Sequence, residues 1–561
     1  MDFQPRTEDM RFVFEQVLDA PSQLAPLGRF EDADADVIAQ VLEESARFVA
    51  ERVAPLQRVG DETGCRWQDG SVTMPPGFRD AYQAYWQAGW PALACDPADG
   101  GQGLPLLLEA LLYEMLSAAN HGWTMAPGLL HGAYDCIRHH GSAALRERYL
   151  PRVASGEWLA TMCLTEAHAG SDLGLVRTRA VPAADGSHAL SGTKIFISGG
   201  EHDLTDNIVH LVLARLPDAP PGPKGLSLFL APKILPDGAR NAIHCERIEE
   251  KMGLHGSPTC VLRFDGATSW LVGEPGRGLQ AMFVMMSAAR LHVALQGIGL
   301  LESAWQKADA YAHERRQMRA PRAGGAGTAG PDPIIEHPAV QRLLHTQRAW
   351  IDGMRVLAYQ TALELDIGHH HPDAARRRQA QAWCALVTPV LKSACTEQAF
   401  AGASDCLQVL GGHGYMREWG VEQVVRDARI AMIYEGTNQI QAIDLLVRKV
   451  LADGGSGMRQ LLAGLEAQTP EGSAERAALR TLADTTHRLC AAAAGDARLP
   501  YEVADDYLRM VALALLGWAW QRIGAASDAP RWQAPRAAFA RWVRPEFGMR
   551  LAIVQERLGG D

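Results

Sequence analysis

Residues 426–441, RDARIAMIYEGTNQIQ, set a carboxylate, Glu435, between an aromatic, Tyr434, and a glycine, Gly436, after apolar Ile430, Ala431, Met432 and Ile433. A carboxylate so placed is expected in a partly dry pocket, where desolvation raises its pKa and suits it to take a proton. Thr437 can cap a helix whose Ile440, Ile443, Val447 and Val450 recur at helical spacing. Local pattern leaves two readings open: a base on a rigid turn, or a solvated turn residue. A second candidate is MCLTEAHAGSD, residues 162–172, whose hydroxyl and main-chain donors near glycine can meet a polar ring edge or a phosphate, or serve only the turn. GTKIFISGG, residues 192–200, ends a strand with Phe196, Ile197 and Ser198. An aromatic, an aliphatic and a hydroxyl suit the face of a flat cofactor, and equally a strand end packed on a core. The histidines at 139–140 and 369–371 lie beside Gly141 and Pro372 with no carboxylate or Cys at ligand spacing, so no metal site is expected.

Composition narrows the classes. At 561 residues the chain exceeds what one core usually organises, so several domains are expected. Apolar residues make up 47% and charged residues 21%, the balance of a globular protein. A net charge of -11 argues against nucleic acid as partner, since phosphate backbones need clustered positive charge. The N-terminus carries acids early, with no basic region before an apolar run, which predicts a cytoplasmic protein without a secretory signal. The most apolar long stretch, residues 279–301, is interrupted by Arg290 and His292, so it reads as a buried helix and no stable membrane insertion is expected. Ten cysteines without a CxxC predict reduced, buried, structural thiols.

The elements that must position these residues fall into an α+β multidomain order. Residues 1–35 are an N-terminal extension whose Phe12, Val13, Val17 and Leu18 suggest a small docked helix. Residues 36–157 read as a helical domain, with one stripe of Val37, Val41, Ala46 and Val49, a nearly all-apolar segment at 106–116, and a plain glycine-rich loop at 97–105. Residues 158–275 alternate with period two and predict an antiparallel β domain. Within it, 179–181 and 188–197 form a hairpin through Asp185-Gly186, and further strands fall at 208–213, 226–230 and 259–264. Residues 276–452 predict a four-helix bundle from helices at 279–316, 340–367, 380–402 and 437–451, with a low-complexity insertion at 319–333. Residues 453–561 add a helical extension whose apolar stretch 510–520 either packs between subunits or lengthens the core.

Five of these motifs, LTEAHAGSD, GTKIFIS, KMGLHGSPT, QVLGGHGY and RDARIAMIYEGTNQIQ, stand in the order and at about the separations of the acyl-CoA dehydrogenases. Residues 36–452 resemble that family, and the domain order matches. The N-terminal extension, residues 200–220, the insertion and the tail resemble its branch of longer bacterial enzymes, which includes 3-methylmercaptopropionyl-CoA dehydrogenase.

The resemblance implies FAD as cofactor and assigns roles residue by residue. Thr165 and Ser171 match hydrogen-bonding positions for the flavin ring and pyrophosphate, and Phe196, Ile197 and Ser198 match the strand against the isoalloxazine. Many relatives have Trp and Thr where Phe196 and Ser198 stand, and proline where Ala167 stands. Arg315 matches an arginine that pairs with the pyrophosphate, with Arg316 a substitute, because the downstream aromatic-glycine pair is here Met318-Arg319. Gln408, Gly411 and Gly412 match the loop along the ADP moiety, usually across a subunit interface, and Thr437 and Gln439 match further dinucleotide contacts. For substrate, Ser171, Ser287, Arg290, Tyr434 and Gly436 are implied. Many relatives carry Asp in place of Ser287 and Arg in place of His255.

The implied reaction is α,β-dehydrogenation of an acyl-CoA to a trans-2-enoyl-CoA, with Glu435 as the base and 3-methylmercaptopropionyl-CoA or another short or medium acyl-CoA as substrate. An electron-transferring flavoprotein is the implied acceptor, and a homodimer or homotetramer the implied assembly. Two alternatives remain: an acyl-CoA oxidase that uses O2, and a flavin-binding assembly or scaffold protein without turnover.

Overall fold

The computed structural model describes residues 2–31, 33–321 and 330–559. The chain divides into two compact units, one of Glu44–His292 and one of Phe3–Glu43 with Val293–Asp561.

The Glu44–His292 unit opens with helices and a short hairpin of β1 (Arg66–Gln68) and β2 (Ser71–Thr73). Its longest wholly contained helix, Leu106–Ala119, buries twelve residues. The helix Ala35–Phe48 does not bury the stripe expected of it. Ile38, Leu42, Ala46 and Val49 are buried, whereas Val37 and Val41 are only half-buried, so the buried face is turned by one residue. A period of 3.6 lets neighbouring stripes compete, and the more apolar Ile38 and Leu42 win.

Seven strands follow: β3 (Leu159–Cys163), β4 (Arg179–Pro182), β5 (His188–Ser198), β6 (Ile208–Arg215), β7 (Leu226–Pro232), β8 (Ile243–Ile248) and β9 (Thr259–Val272). The expected hairpin is present, with Arg179 opposite Ser191 and Pro182 opposite His188. The sheet is mixed rather than antiparallel throughout: β3 runs parallel to β6 from Leu159–Ile208 to Cys163–Val212. The β4–β5 hairpin lies between those two strands in sequence, and so long a crossover is what parallel pairing needs. Pairings of β6 with β4, β4 with β5, β5 with β9, β9 with β7 and β7 with β6 close on themselves. Inside lie Leu190, Ile197, Val212, Phe229, Leu262 and Phe264.

In the other unit, the bundle uses the helices Gly278–Glu314 (from Val293 onward), Pro338–His370 and Ala374–Val409, joined by Val421–Arg429 and Asn438–Ile443. Pro389 sits inside Ala374–Val409 and has no N–H for the carbonyl of Ala385. Lys449 Nζ supplies that missing donor at 2.6 Å. Lys449 lies on Asp444–Val450, a π-wound continuation of the Asn438 helix. That rewinding moves the buried face, so Leu445 and Leu446 are buried while Ile440, Ile443 and Val447 are half-buried.

The C-terminal extension lengthens this core. Every residue from Met510 to Trp520 is buried, and Trp520 Nε1 donates to Ala349 O at 3.0 Å. Gly353 permits the close approach, since a Cβ there would lie 2.3 Å from Leu516 Cδ1. The N-terminal helix Thr7–Phe12 docks on the same tail through Phe12 stacked on Trp532 at 4.7 Å. Beneath it, buried Glu302 accepts from Arg348 and Arg355. Burial alone would raise the Glu302 carboxyl, but these guanidinium groups bring its pKa down to about 2.

Part of the expected insertion, residues 322–329, lies outside the described residues. Its flanks are tied by Gln317 N–H to Asp332 O at 3.1 Å and Asp332 N–H to Met318 O at 2.8 Å. All ten cysteines are free, seven of them buried, which fits a structural role. Among the described residues no group of His, Cys, Asp or Glu could hold a metal ion. The helix Gly278–Glu314 is long and apolar enough to cross a membrane, but 72% of its most apolar window is buried inside the protein, as in a core helix.

Candidate active site

In the Val293–Asp561 unit, the chain leaves the Val421–Arg429 helix, makes one 3-10 turn at Ile430–Met432, and reverses at Glu435-Gly436. Tyr434 is anchored by its hydroxyl, which donates to Gln296 Oε1 at 2.6 Å. Glu435, with φ of 56°, and Gly436, with φ of 85°, are both left-handed. For Glu435 that conformation costs about 1–2 kcal/mol, so the surroundings must hold it. Gly436 admits no side chain, because a Cβ would lie 2.7 Å from Gln441 Nε2.

The holding groups lie behind the turn. Gln441 Nε2 donates to Glu435 O at 3.0 Å and to Gly436 O at 3.3 Å. Lys392 Nζ donates to Gly436 O at 2.8 Å and to Asn438 Oδ1 at 3.1 Å. Asn438 is fixed in turn by Thr396 Oγ1 at 3.2 Å and by its own Nδ2 donating to Ser393 O at 3.2 Å. Thr437 Oγ1 accepts from Ile440 N at 3.3 Å and caps the next helix, as its sequence position predicts. Glu435 is thus a half-buried carboxylate on a turn with its main chain fixed. Sequence reasoning missed Lys392, Asn438 and Gln441 as its supports. The available signal was a lysine amid apolar residues of a helix, and two amides inside the motif itself.

The other predicted residues of this unit line its surface. Gln408, Gly411 and Gly412 are exposed, at and just past the end of the Ala374–Val409 helix. Nothing lies within 4 Å of a Cβ built on Gly412, so the protein's own packing does not require glycine there. Tyr311 OH and His413 Nδ1, 2.9 Å apart, tie this loop to the last turn of the Gly278–Glu314 helix, one turn before Arg315. The Arg315 guanidinium is exposed and pairs with no carboxylate among the described residues, whereas Arg316 Nη1 is engaged by Pro331 O at 3.3 Å. Gln439 is exposed at the start of its helix.

In the Glu44–His292 unit, the loop after β3 is built around Glu166, which is 4% exposed. Its carboxylate accepts from Arg177 N at 2.8 Å, Thr178 N at 3.0 Å, Thr178 Oγ1 at 2.6 Å and Lys194 Nζ at 2.9 Å. Burial opposes ionisation, but Lys194 and these donors bring the Glu166 carboxyl down to about 2. Lys194 Nζ also donates to Leu164 O, and Ile195 N–H to Thr165 O, both at 2.9 Å, so the loop is stitched to β5. The register of β5 against β9 shifts between Lys194 and Ile197, where Phe196 takes a φ of 59° and stands 60% exposed. The bulge re-aims the ring outward. Ile197 instead belongs to the barrel core at 2% exposure, so it offers a ligand only its main chain. The hydroxyls of Thr165, Ser171 and Ser198 make no hydrogen bond among the described residues, and none of the three is buried. Free hydroxyls beside an outward aromatic fit the flat, phosphate-bearing flavin that the sequence motifs imply.

Of the residues expected to touch substrate in this unit, Ser287 is exposed and Arg290 is buried, both on the Gly278–Glu314 helix. His255 has both ring nitrogens engaged, at 2.9 Å from Asp61 Oδ1 and 3.0 Å from Lys251 O, and so is not spare for a phosphate. A cluster that sequence reasoning did not find is Glu109 with His131 and His292, at 2.8 and 3.4 Å. Although burial alone would raise the Glu109 carboxyl, His131 and His292 bring it to about 2.

The chain thus sets helices, a closed β barrel with a bulged aromatic strand, and a helical bundle in that order, with a left-handed glutamate ahead of a capped helix in the last. The chain matches the N-terminal, middle and C-terminal domains of the acyl-CoA dehydrogenase family over residues 38–157, 161–267 and 276–450, and it belongs to that family. It is similar to the 3-methylmercaptopropionyl-CoA dehydrogenase of Ruegeria pomeroyi, with 41% identity over 545 residues covering 94% of this chain and 92% of that protein. The broad-specificity linear acyl-CoA dehydrogenase FadE5 of Mycobacterium tuberculosis is 34% identical over 561 residues, 94% of this chain and 91% of that protein. The crystal structure of an acyl-CoA dehydrogenase complexed with FAD from Bacillus anthracis shares the fold, with a TM-score of 0.75 at 20% identity over 94% of this chain and 89% of that one.

Proposed function

We propose that this enzyme desaturates the α,β bond of an acyl-CoA thioester to give a trans-2-enoyl-CoA, with Glu435 as the base and FAD as cofactor. The observation that carries the reading is the Glu435 turn, a half-buried carboxylate in a left-handed conformation braced by Gln441 and Lys392. Glu435 takes the α-proton. An α-C–H beside a thioester is a weak acid, so the charge developing on the thioester oxygen needs a donor, a role the family resemblance gives to the Glu435 N–H. FAD, when bound, supplies the acceptor for the β-hydrogen as hydride. Thr165, Ser171, Ser198, the Phe196 ring and the Ile197 main chain hold its flavin part. Arg315, Gln408, Gly411, Gly412, Thr437 and Gln439 hold the dinucleotide. Ser171, Ser287, Arg290, Tyr434 and Gly436 contact the acyl-CoA.

The acyl group is short or medium, and 3-methylmercaptopropionyl-CoA is the first candidate, because the Ruegeria relative named for it is 41% identical along nearly the whole chain. Electrons leave to an electron-transferring flavoprotein. The enzyme works as a homo-oligomer, a reading supported by exposed Tyr415 and Met416 just after the Gly411-Gly412 pair.

Anaerobic titration of the flavoprotein with a panel of acyl-CoA thioesters, including 3-methylmercaptopropionyl-CoA, should bleach the flavin absorbance. The bleached form should persist in air and be reoxidised by an electron-transferring flavoprotein; fast reoxidation by O2 would make the enzyme an oxidase. If Glu435→Gln bleaches at the wild-type rate, Glu435 is not the base.

A further inference from the structure

We infer that Lys392, on the Ala374–Val409 helix, is a positioning residue for this reaction, bracing the turn that carries the Glu435 carboxylate and polarising the Thr437 N–H beside it. The inference rests on the reading of Glu435 as the base.

Lys392 is 0% exposed, in a stretch that also buries Val387, Val390, Leu391, Ala394 and Cys395. Burying an amino group there is costly unless its N–H bonds are used. Its Nζ reaches Gly436 O and the Asn438 side chain, both beside the base. A buried lysine can simply brace a helix start, and Asn438 begins a helix here. This one also serves a peptide group next to a non-glycine residue in the left-handed region, the conformation that needs outside support.

The peptide planes give the second part of the inference. In a trans peptide the C=O and N–H point in opposite directions. Glu435 O accepts from Gln441 and Gly436 O from Lys392, so the N–H groups of Gly436 and Thr437 face away from both. Neither N–H donates to any group among the described residues. Consecutive amides around left-handed residues form a concave donor site for an anion. A donor at each carbonyl also polarises the attached N–H, because hydrogen bonds in a chain reinforce one another. Lys392 thereby acts twice, holding the turn that carries the carboxylate and polarising the Thr437 N–H, while Gln441 does the same for the Gly436 N–H.

The test uses the holoenzyme with Lys392→Met, Lys392→Arg, Gln441→Met and Glu435→Gln. With the flavin reduced by dithionite no net oxidation occurs, and exchange of the α-protons of butyryl-CoA with D2O, read by mass spectrometry, reports proton abstraction alone. Lys392→Met is expected to slow this exchange, and anaerobic flavin reduction in parallel, by about 10- to 100-fold, since misplacing a reacting group by about 1 Å has that effect. FAD content and KM should stay near wild type, and Lys392→Arg should recover most of the rate. A merely structural lysine would lower the melting temperature and leave the exchange rate per folded holoenzyme unchanged. If folded, FAD-loaded Lys392→Met exchanges at more than about half the wild-type rate, the inference is wrong. If that variant does not fold, Gln441→Met, which frees the Glu435 carbonyl, carries the test: a loss of about tenfold supports the bracing and a wild-type rate overturns it. Glu435→Gln separates the two claims. A dead Glu435→Gln beside a fully active Lys392→Met sinks only the role of Lys392, whereas an active Glu435→Gln sinks the base as well.

Discussion

Substituting Glu166 by Gln tests whether one buried carboxylate holds the loop after β3 to the neighbouring strand β5. The side chain is 4% exposed and collects four donors, and Lys194, at 0% exposure, has it as its only carboxylate among the described residues. Its pKa falls from 4.5 to about 2 in the folded protein. Each tenfold change in proton affinity is worth about 1.4 kcal/mol, so about 3 kcal/mol is an upper bound on what the ionised form gains, because burial pushes the pKa of its partner Lys194 down and offsets part of it. A group whose folded pKa is depressed stabilises above its unfolded value and loses that effect as pH falls through the folded one. The contribution is therefore complete above about pH 4.5 and drains away toward pH 2. Global unfolding of so large a chain is not a single two-state event, so the local opening of the loop is the better observable. Hydrogen exchange read by mass spectrometry at pH 7 should show the amides of Arg177, Thr178 and Ile195 accelerating by about tenfold or more in Glu166→Gln. After correction for intrinsic exchange, the difference from wild type should shrink as the pH is lowered from about 4.5 to about 3.5. Acceleration below about threefold at neutral pH, or a difference that does not change with pH, would refute the assignment.

Two further outcomes separate ligand contact from folding. Gly412→Val should leave thermal unfolding of the apoprotein within about 1 °C of wild type, since a Cβ there meets open space, yet weaken FAD binding at least about tenfold by equilibrium titration. Equal FAD affinity would remove the Gly412 loop from the cofactor site. Trp520→Ala should cost about 3–5 kcal/mol in denaturant unfolding, because the ring is 2% exposed and its N–H is bonded to Ala349 O. An effect below about 1 kcal/mol would mean that the C-terminal extension adds little to the core.

What the sequence disclosed follows from what local pattern encodes. Period-two alternation and the Asp185-Gly186 turn predicted the β4–β5 hairpin because both are properties of adjacent residues. The strand β8, IHCERI, escaped notice, since its pairing with β9 is a long-range fact that its short, charged pattern does not announce. Parallel pairing of β3 with β6 was hidden for the same reason: LATMC is nearly all buried and shows no alternation. On helices, periodicity found the elements but not always the face. The Ala35–Phe48 stripe was read one residue off, and the helix after Thr437 rewinds at Asp444, beyond the reach of a 3.6-residue count.

The candidate site divides along the same line. Glu435, Phe196 and the glycines were legible because their types are unusual where they stand. Their supports were not, because Lys392, Gln441, Glu166 and Lys194 act through carbonyls and amides whose positions no residue type reveals. A rule for finding such supports follows from main-chain accounting. A left-handed non-glycine residue near chemistry that no strand ladder holds implies an outside donor to its own or the next carbonyl. A buried Lys or Gln elsewhere in the chain is the first place to look. At Glu435 the rule finds both Gln441 and Lys392. At Phe196, the other left-handed residue beside the proposed flavin, buried Lys194 instead reaches Leu164 O, on the facing loop. There the bulge is held by the strand pairs on either side, Lys194 with Leu262 and Ile197 with Cys260. The Glu435 turn has no such ladder among the described residues, and Gln441 and Lys392 bond its carbonyls instead.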